Sequence, residues 1–171
     1  MLINTQKKYL VVGLESSCTK FVTNLIAYNL GLIESYGDYV KSEDFIHDTK
    51  CNDEYLVAHR SLPFSARNSF IDTEYANNFD HVVLSIRDFQ CSLMSKNGIH
   101  QRNLDEATHE HETGRIVLQQ LFKNLRDKIT LFSYESAYIL GQLYLEDMLK
   151  KLDLENPKTF TVQEINGKYI K

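Results

Sequence analysis

Apolar residues along this chain fall into two rhythms. Residues 10 to 12 (Leu10, Val11, Val12) form an unbroken run that stops at Gly13. A small polar stretch follows (Glu15, Ser16, Ser17, Cys18, Thr19), and from Phe21 the apolar positions recur at Val22, Leu25, Ile26 and Leu30. The run predicts a buried strand, the 3.6-residue spacing a helix, and Gly31 the residue that ends it. The alternation repeats. Residues 55 to 58 (YLVA) predict a strand ending at His59, residues 81 to 86 (HVVLSI) a central strand ending at Arg87, and residues 128 to 134 (KITLFSY) another. FQCSLMSKN reads as one short helix, and residues 65 to 79 as helical in part. Residues 103 to 127 predict the longest helix, with Leu104, Ala107, His111, Gly114, Leu118, Leu121 and Leu125 on one face. Residues 138 to 152 carry Ile139, Leu143, Tyr144, Met148, Leu149 and Leu152 at helical spacing.

Strands alternating with helices imply parallel pairing, so the expected fold is one α/β domain spanning residues 1 to 171. It has three layers, with a central, mainly parallel sheet of P-loop type flanked by helices. Ligand sites in such sheets lie beyond the C-terminal ends of the strands, where residues 13 to 20, His59 and Arg87 converge on one edge. Residues 32 to 54 are polar and show no sustained period; a binding insertion and a solvated loop both fit. The tail beyond Pro157 reads as an edge strand or a loop.

Composition removes some functions from consideration. A net charge of −4 over 171 residues, with Lys and Arg scattered among Asp and Glu, gives no broad basic face for nucleic acid. Any anion site is local. Three cysteines without CxxC spacing signal neither a disulfide framework nor a zinc site. No apolar run approaches the roughly 18 residues that cross a bilayer, and MLINTQKK lacks a signal-peptide core, so a cytoplasmic, non-membrane protein is expected. His109 and His111 with Glu110 and Glu112 imitate a metal cluster, but residues two apart on a helix do not share a face. His111 reads as a buried, hydrogen-bonded structural histidine and Gly114 as a point of close approach. His47 and His100 read as loop residues.

The strand-loop-helix junction leaves backbone amides at the positive end of a helix, which suits phosphate. A magnesium nucleotide loop, G-x-x-x-x-G-K-[ST], is not what the junction spells: Cys18, Thr19 and Lys20 stand where glycine, lysine and a hydroxyl belong. The central strand also ends in Arg87 rather than a metal-holding carboxylate.

VVGLESSCTKFV resembles the 5′-phosphosulfate loop of sulfotransferases, a strand followed by G-x-x-[KR]-S-G-T-T. HVVLSIRDFQCSLMS resembles that family's 3′-phosphate motif, an Arg at a strand end and a Ser eight residues later, here Arg87 and Ser95. YLVAHRSLP and ITLFSYES are similar to two further segments of the family, in the same order. The resemblance implies transfer of a sulfuryl group from 3′-phosphoadenosine 5′-phosphosulfate (PAPS) to a hydroxyl or amine of a small-molecule or glycan acceptor, with no metal required. Carried over by position, Ser16, Ser17, Cys18, Thr19 and Lys20 would hold the 5′-phosphate, and Arg87 and Ser95 the 3′-phosphate. His59 would take the acceptor's proton, with Lys20 as the catalytic cation. The acceptor would sit near Asp53, Tyr36, Tyr39 and Phe45.

Three departures accompany the resemblance. Ser16 stands where the family keeps Lys or Arg, and Lys20 is either its replacement or a solvated residue. Cys18 replaces a glycine and resists positive φ. Lys168 and Lys171 alone stand in for a C-terminal basic segment, a shortage that a neighbouring subunit of a homo-oligomer could fill. Two other classes stay open: a divergent nucleotide or nucleoside kinase, and a catalytically inactive phosphonucleotide-binding protein.

Overall fold

The computed structural model describes residues 6–34, 49–62, 71–100 and 103–162. The first strand, β1 (Lys7–Leu14), turns through residues 15–18 into α1 (Thr19–Asn29). A short β2 (Thr49–Cys51) precedes β3 (Tyr55–Leu62), then α2 (Thr73–Asn77) and β4 (His81–Ile86). Helices α3 (Phe89–His100) and α4 (Leu104–Asn124) follow, then β5 (Ile129–Ser133), α5 (Tyr134–Leu140) and α6 (Gln142–Lys150).

The five-stranded sheet has the order β2-β3-β1-β4-β5. β3, β1, β4 and β5 run parallel, and β2 closes one edge antiparallel to β3. Period-two alternation divides β1 between two cores. Tyr9 and Val11 pack with α1, α5 and α6 through Val22, Leu25, Ile26, Leu145 and Leu149. Leu10, Val12 and Leu14 pack with α2 and α4 through Ala76, Val117, Leu121 and Leu125. The molecule is therefore a three-layer α/β domain. No helix among the described residues is long and apolar enough to cross a membrane.

Several elements end as their residues dictate. At the C-terminus of α1, Gly31 takes φ 68°, and the Leu32 and Gly31 amides bond to the carbonyls of Ala27 (2.8 Å) and Tyr28 (3.1 Å). This is a Schellman close, which needs a left-handed residue. The Asp88 carboxylate accepts from the Cys91 amide (2.8 Å) at the start of α3, and Asn103 caps α4 by accepting from Asp105. At the outer edge of β5, the Tyr144 hydroxyl accepts from the Ser133 amide (2.7 Å) and donates to the Leu131 carbonyl (3.2 Å).

Five expectations are corrected. The strand predicted to stop at His59 continues to Leu62, because residues 59–62 pair in register with Val11 to Leu14 of β1. Part of the stretch read as aperiodic supplies β2. The single helix over residues 138 to 152 is two helices, since Gly141 (φ 60°, ψ −137°) breaks it, and Ile139 and Leu143 are exposed. His100 is not in a loop but ends α3, which is longer than expected. In α4, Val117 rather than Leu104 belongs to the buried stripe, and Leu104 is exposed.

Candidate functional site

β1 leads through α1 to β3 on one side, and β3 leads back across to β4 on the other. The crevice at such a reversal, beyond the C-terminal ends of β1 and β4, is where open parallel sheets bind ligands. Residues 14–20 and Arg87 occupy it.

The loop has an alternating backbone. Ser16 and Cys18 both take φ 67°, while Glu15, Ser17 and Thr19 between and beside them stay at negative φ. Alternating handedness turns successive amides toward one concavity, the arrangement known as a nest, which binds anions. The Ser17 amide bonds back to the Leu14 carbonyl at 3.0 Å. The amides of Ser16, Cys18 and Thr19 have no hydrogen bond among the described residues. The first amides of α1 also lack partners within the helix by its geometry, and they sit at its positive end. The Ser17 hydroxyl is buried with no hydrogen-bond partner among the described residues. It occupies the space above Gly13, where a Cβ would lie 2.3 Å from it and 2.6 Å from the Ser85 carbonyl. That contact explains the glycine.

Three consecutive loop carbonyls are tied to the β4-α3 segment. The Ser92 hydroxyl donates to the Glu15 carbonyl (2.9 Å), Arg87 Nη1 to the Ser16 carbonyl (3.0 Å), and the Ser85 hydroxyl to the Ser17 carbonyl. Arg87 is buried with its guanidinium 5.2 Å from the Tyr134 ring. Behind the loop, Lys96 is almost fully buried, 3.1 Å from the Glu15 carboxylate and also bonded to Glu110. A buried ammonium requires such partners. His111 Nε2 lies 3.1 Å from the Ser92 hydroxyl. That hydroxyl's one proton goes to the Glu15 carbonyl, so the imidazole Nε2–H is the donor. Burial, with the Lys96 charge nearby, pushes His111 down to about 4.

His59 packs against the loop from β3, with Nε2 2.7 Å from the Thr19 hydroxyl and 3.5 Å from that of Ser61. It is buried inside the strand rather than delivered by its end. Cys18 adopts the positive φ that the sequence argued against, and its thiol packs on the α1-side core. Burial pushes that thiol up to about 11, against the opposing pull of Arg87, so it stays protonated and is a packing group, not a nucleophile. Lys20 is exposed in the first turn of α1, and Ser95 is buried on α3.

The structure thus brings Ser16, Ser17, Cys18, Thr19, His59 and Arg87 together. Asp53 is exposed ahead of β3, while Tyr36, Tyr39, Phe45, His47, Lys168 and Lys171 lie outside the described residues. His109 is exposed and His111 buried, so the two do not share a face. Sequence reasoning missed Ser85, Ser92, Lys96, Glu15 and Glu110. The one trace they leave is a run of polar residues (Ser92, Ser95, Lys96) at helical spacing on α3. An open depression of about 440 Å³ beside Lys150, Asp153 and Asn156 lies elsewhere. Asp153 accepts from Lys7 at the start of β1, which places the depression near the N-terminal ends of the strands, opposite the loop.

No known protein family matches the sequence, and no curated protein matches it either. Among solved structures, the chain is similar to a crystal structure of Sup35 complexed with GMPPNP, at 8% identity and a TM-score of 0.32. That similarity covers 78% of this chain and 38% of the other, so this chain spans well under half of that protein's length.

Proposed function

We propose that the loop of residues 14–20 binds the phosphate of a nucleotide, and that the nucleotide is PAPS, used to sulfate a hydroxyl or amine acceptor. The observation that supports this reading best is the alternating φ at Ser16 and Cys18, maintained in non-glycine residues. Positive φ at such residues is unfavourable by about 1–2 kcal/mol each, and strain of this kind gathers at binding sites. In the proposed reaction the acceptor oxygen bonds to sulfur while the bond from sulfur to the bridging phosphate oxygen breaks. The loop amides and the α1 N-terminus would take up charge growing on the departing 5′-phosphate. His59 would accept the acceptor's proton, its ring fixed by the Thr19 hydroxyl.

Calorimetry with 3′-phosphoadenosine 5′-phosphate and transfer assays with labelled PAPS test this. Wild type is expected to bind and transfer, and His59→Ala to bind but not transfer. Absence of binding by wild type, or binding of magnesium ATP alone, would sink the donor assignment, and the latter would favour a kinase. Ser16 supports a second reading: it supplies no cation to the loop, as expected of a phosphonucleotide-binding protein without turnover. Binding without transfer across a broad acceptor panel would favour that reading.

A further inference from the structure

We infer that Ser85, Arg87 and Ser92 are positioning residues that set the handedness of the loop, an inference that rests on the phosphate-loop reading. In a trans peptide the C=O and the following N–H point in opposite directions. Pinning the carbonyls of Glu15, Ser16 and Ser17 toward β4 and α3 therefore turns the amides of Ser16, Ser17 and Cys18 the other way. The Ser17 amide closes the turn onto Leu14, which leaves those of Ser16 and Cys18 facing away from the clamp. A glycine-rich loop reaches this geometry because its residues tolerate positive φ; a serine and a cysteine need it imposed. Three donors from one short segment, residues 85–92, impose it.

The clamp has its own support. His111 donates to the Ser92 hydroxyl and so orients its proton toward the Glu15 carbonyl. Lys96 pairs the Glu15 side chain, which keeps a bare carboxylate from the mouth of an anion site. Arg87 thereby acquires a role different from that of a phosphate fork: its Nη1 is directed at a backbone carbonyl inside the loop.

Carbon chemical shifts at Ser16 and Cys18, loop amide exchange, and affinity for two probes, adenosine 5′-phosphate and 3′-phosphoadenosine 5′-phosphate, test the assignment. Arg87→Ala and Ser92→Ala are expected to lose the positive-φ shift signature at Ser16 and to speed exchange of the loop amides, while amides of residues 9–12 exchange as in wild type. Each should weaken both probes by the same factor, about three- to tenfold. Arg87→Lys, which retains a donor, should restore most of the signature. If Arg87→Ala weakens only the probe carrying the 3′-phosphate and leaves the loop shifts unchanged, the clamp is overturned and the fork is upheld. If wild type binds neither probe while the variants still lose the signature, the clamp is upheld and the phosphate reading is the one that fails.

Discussion

Ser16 and Cys18 sit at φ 67° without the freedom glycine has, so the loop stores strain at two points, one on either side of Ser17. At Ser16 the side chain is only half-buried, and replacing it relieves strain with little loss of packing. Ser16→Gly is expected to raise stability by about 0.5–1 kcal/mol, and Ser16→Val, whose branched Cβ fits this region poorly, to lower it by at least about 1 kcal/mol. Urea unfolding measures both; a glycine variant less stable than wild type would show that Ser16 is not strained. This strain is also why the loop was only partly legible. Sequence reading takes positive φ from glycine, and here it is produced by donors 68 to 77 residues away along the chain.

Among the elements, α4 crosses the ends of β1 and β3 at Gly114. A Cβ there would meet Leu14 Cδ2 at 2.6 Å and Leu62 Cβ at 3.1 Å. Leu14 directly precedes the loop, so crowding at this crossing pushes on the site itself. Gly114→Ala should destabilise the domain by about 1–3 kcal/mol, and thermal unfolding tests it; a shift of less than about 0.5 kcal/mol would mean the crossing has slack. Gly114 was legible because a glycine on an apolar stripe has few explanations. The continuation of β3 was not. The apolar run stops at Ala58, and only pairing with Val12 and Gly13 of β1 makes the polar Arg60 and Ser61 strand. The break at Gly141 was missed because Ile139 and Leu143 keep a helical period while facing outward.

For the whole molecule, the sheet separates two apolar cores, and a large polar cluster, Glu15, Ser92, Lys96, Glu110 and His111, is built where α3 and α4 meet the loop. The titration of His111 couples the site to global stability. His111 has a folded pKa of about 4, below its ordinary value near 6.5, so between those pH values the unfolded chain binds the extra proton. The contribution is complete above pH 6.5, falls as pH drops toward 4, and is flat below, on the order of 3 kcal/mol in all. His111→Asn removes this slope, so the wild-type and variant curves of unfolding free energy against pH should converge from pH 7 to 4.5. Parallel curves would place the titrating group elsewhere. The layer order and parallel sheet were legible because period-two and 3.6-residue patterns report burial directly. The polar cluster was not, because its members are scattered over residues 15 to 111 and meet only in the folded chain.

The hydroxyl of Tyr144 has a consequence for how the chain meets its neighbours. By accepting from Ser133 and donating to Leu131, it occupies the backbone groups of β5 that a sixth strand would otherwise pair with. An open sheet edge is a template for another chain. The cap is carried on α6, which follows β5 in the sequence. Whenever that helix is undocked, the outer edge of β5 is an uncapped template for pairing with a neighbouring chain.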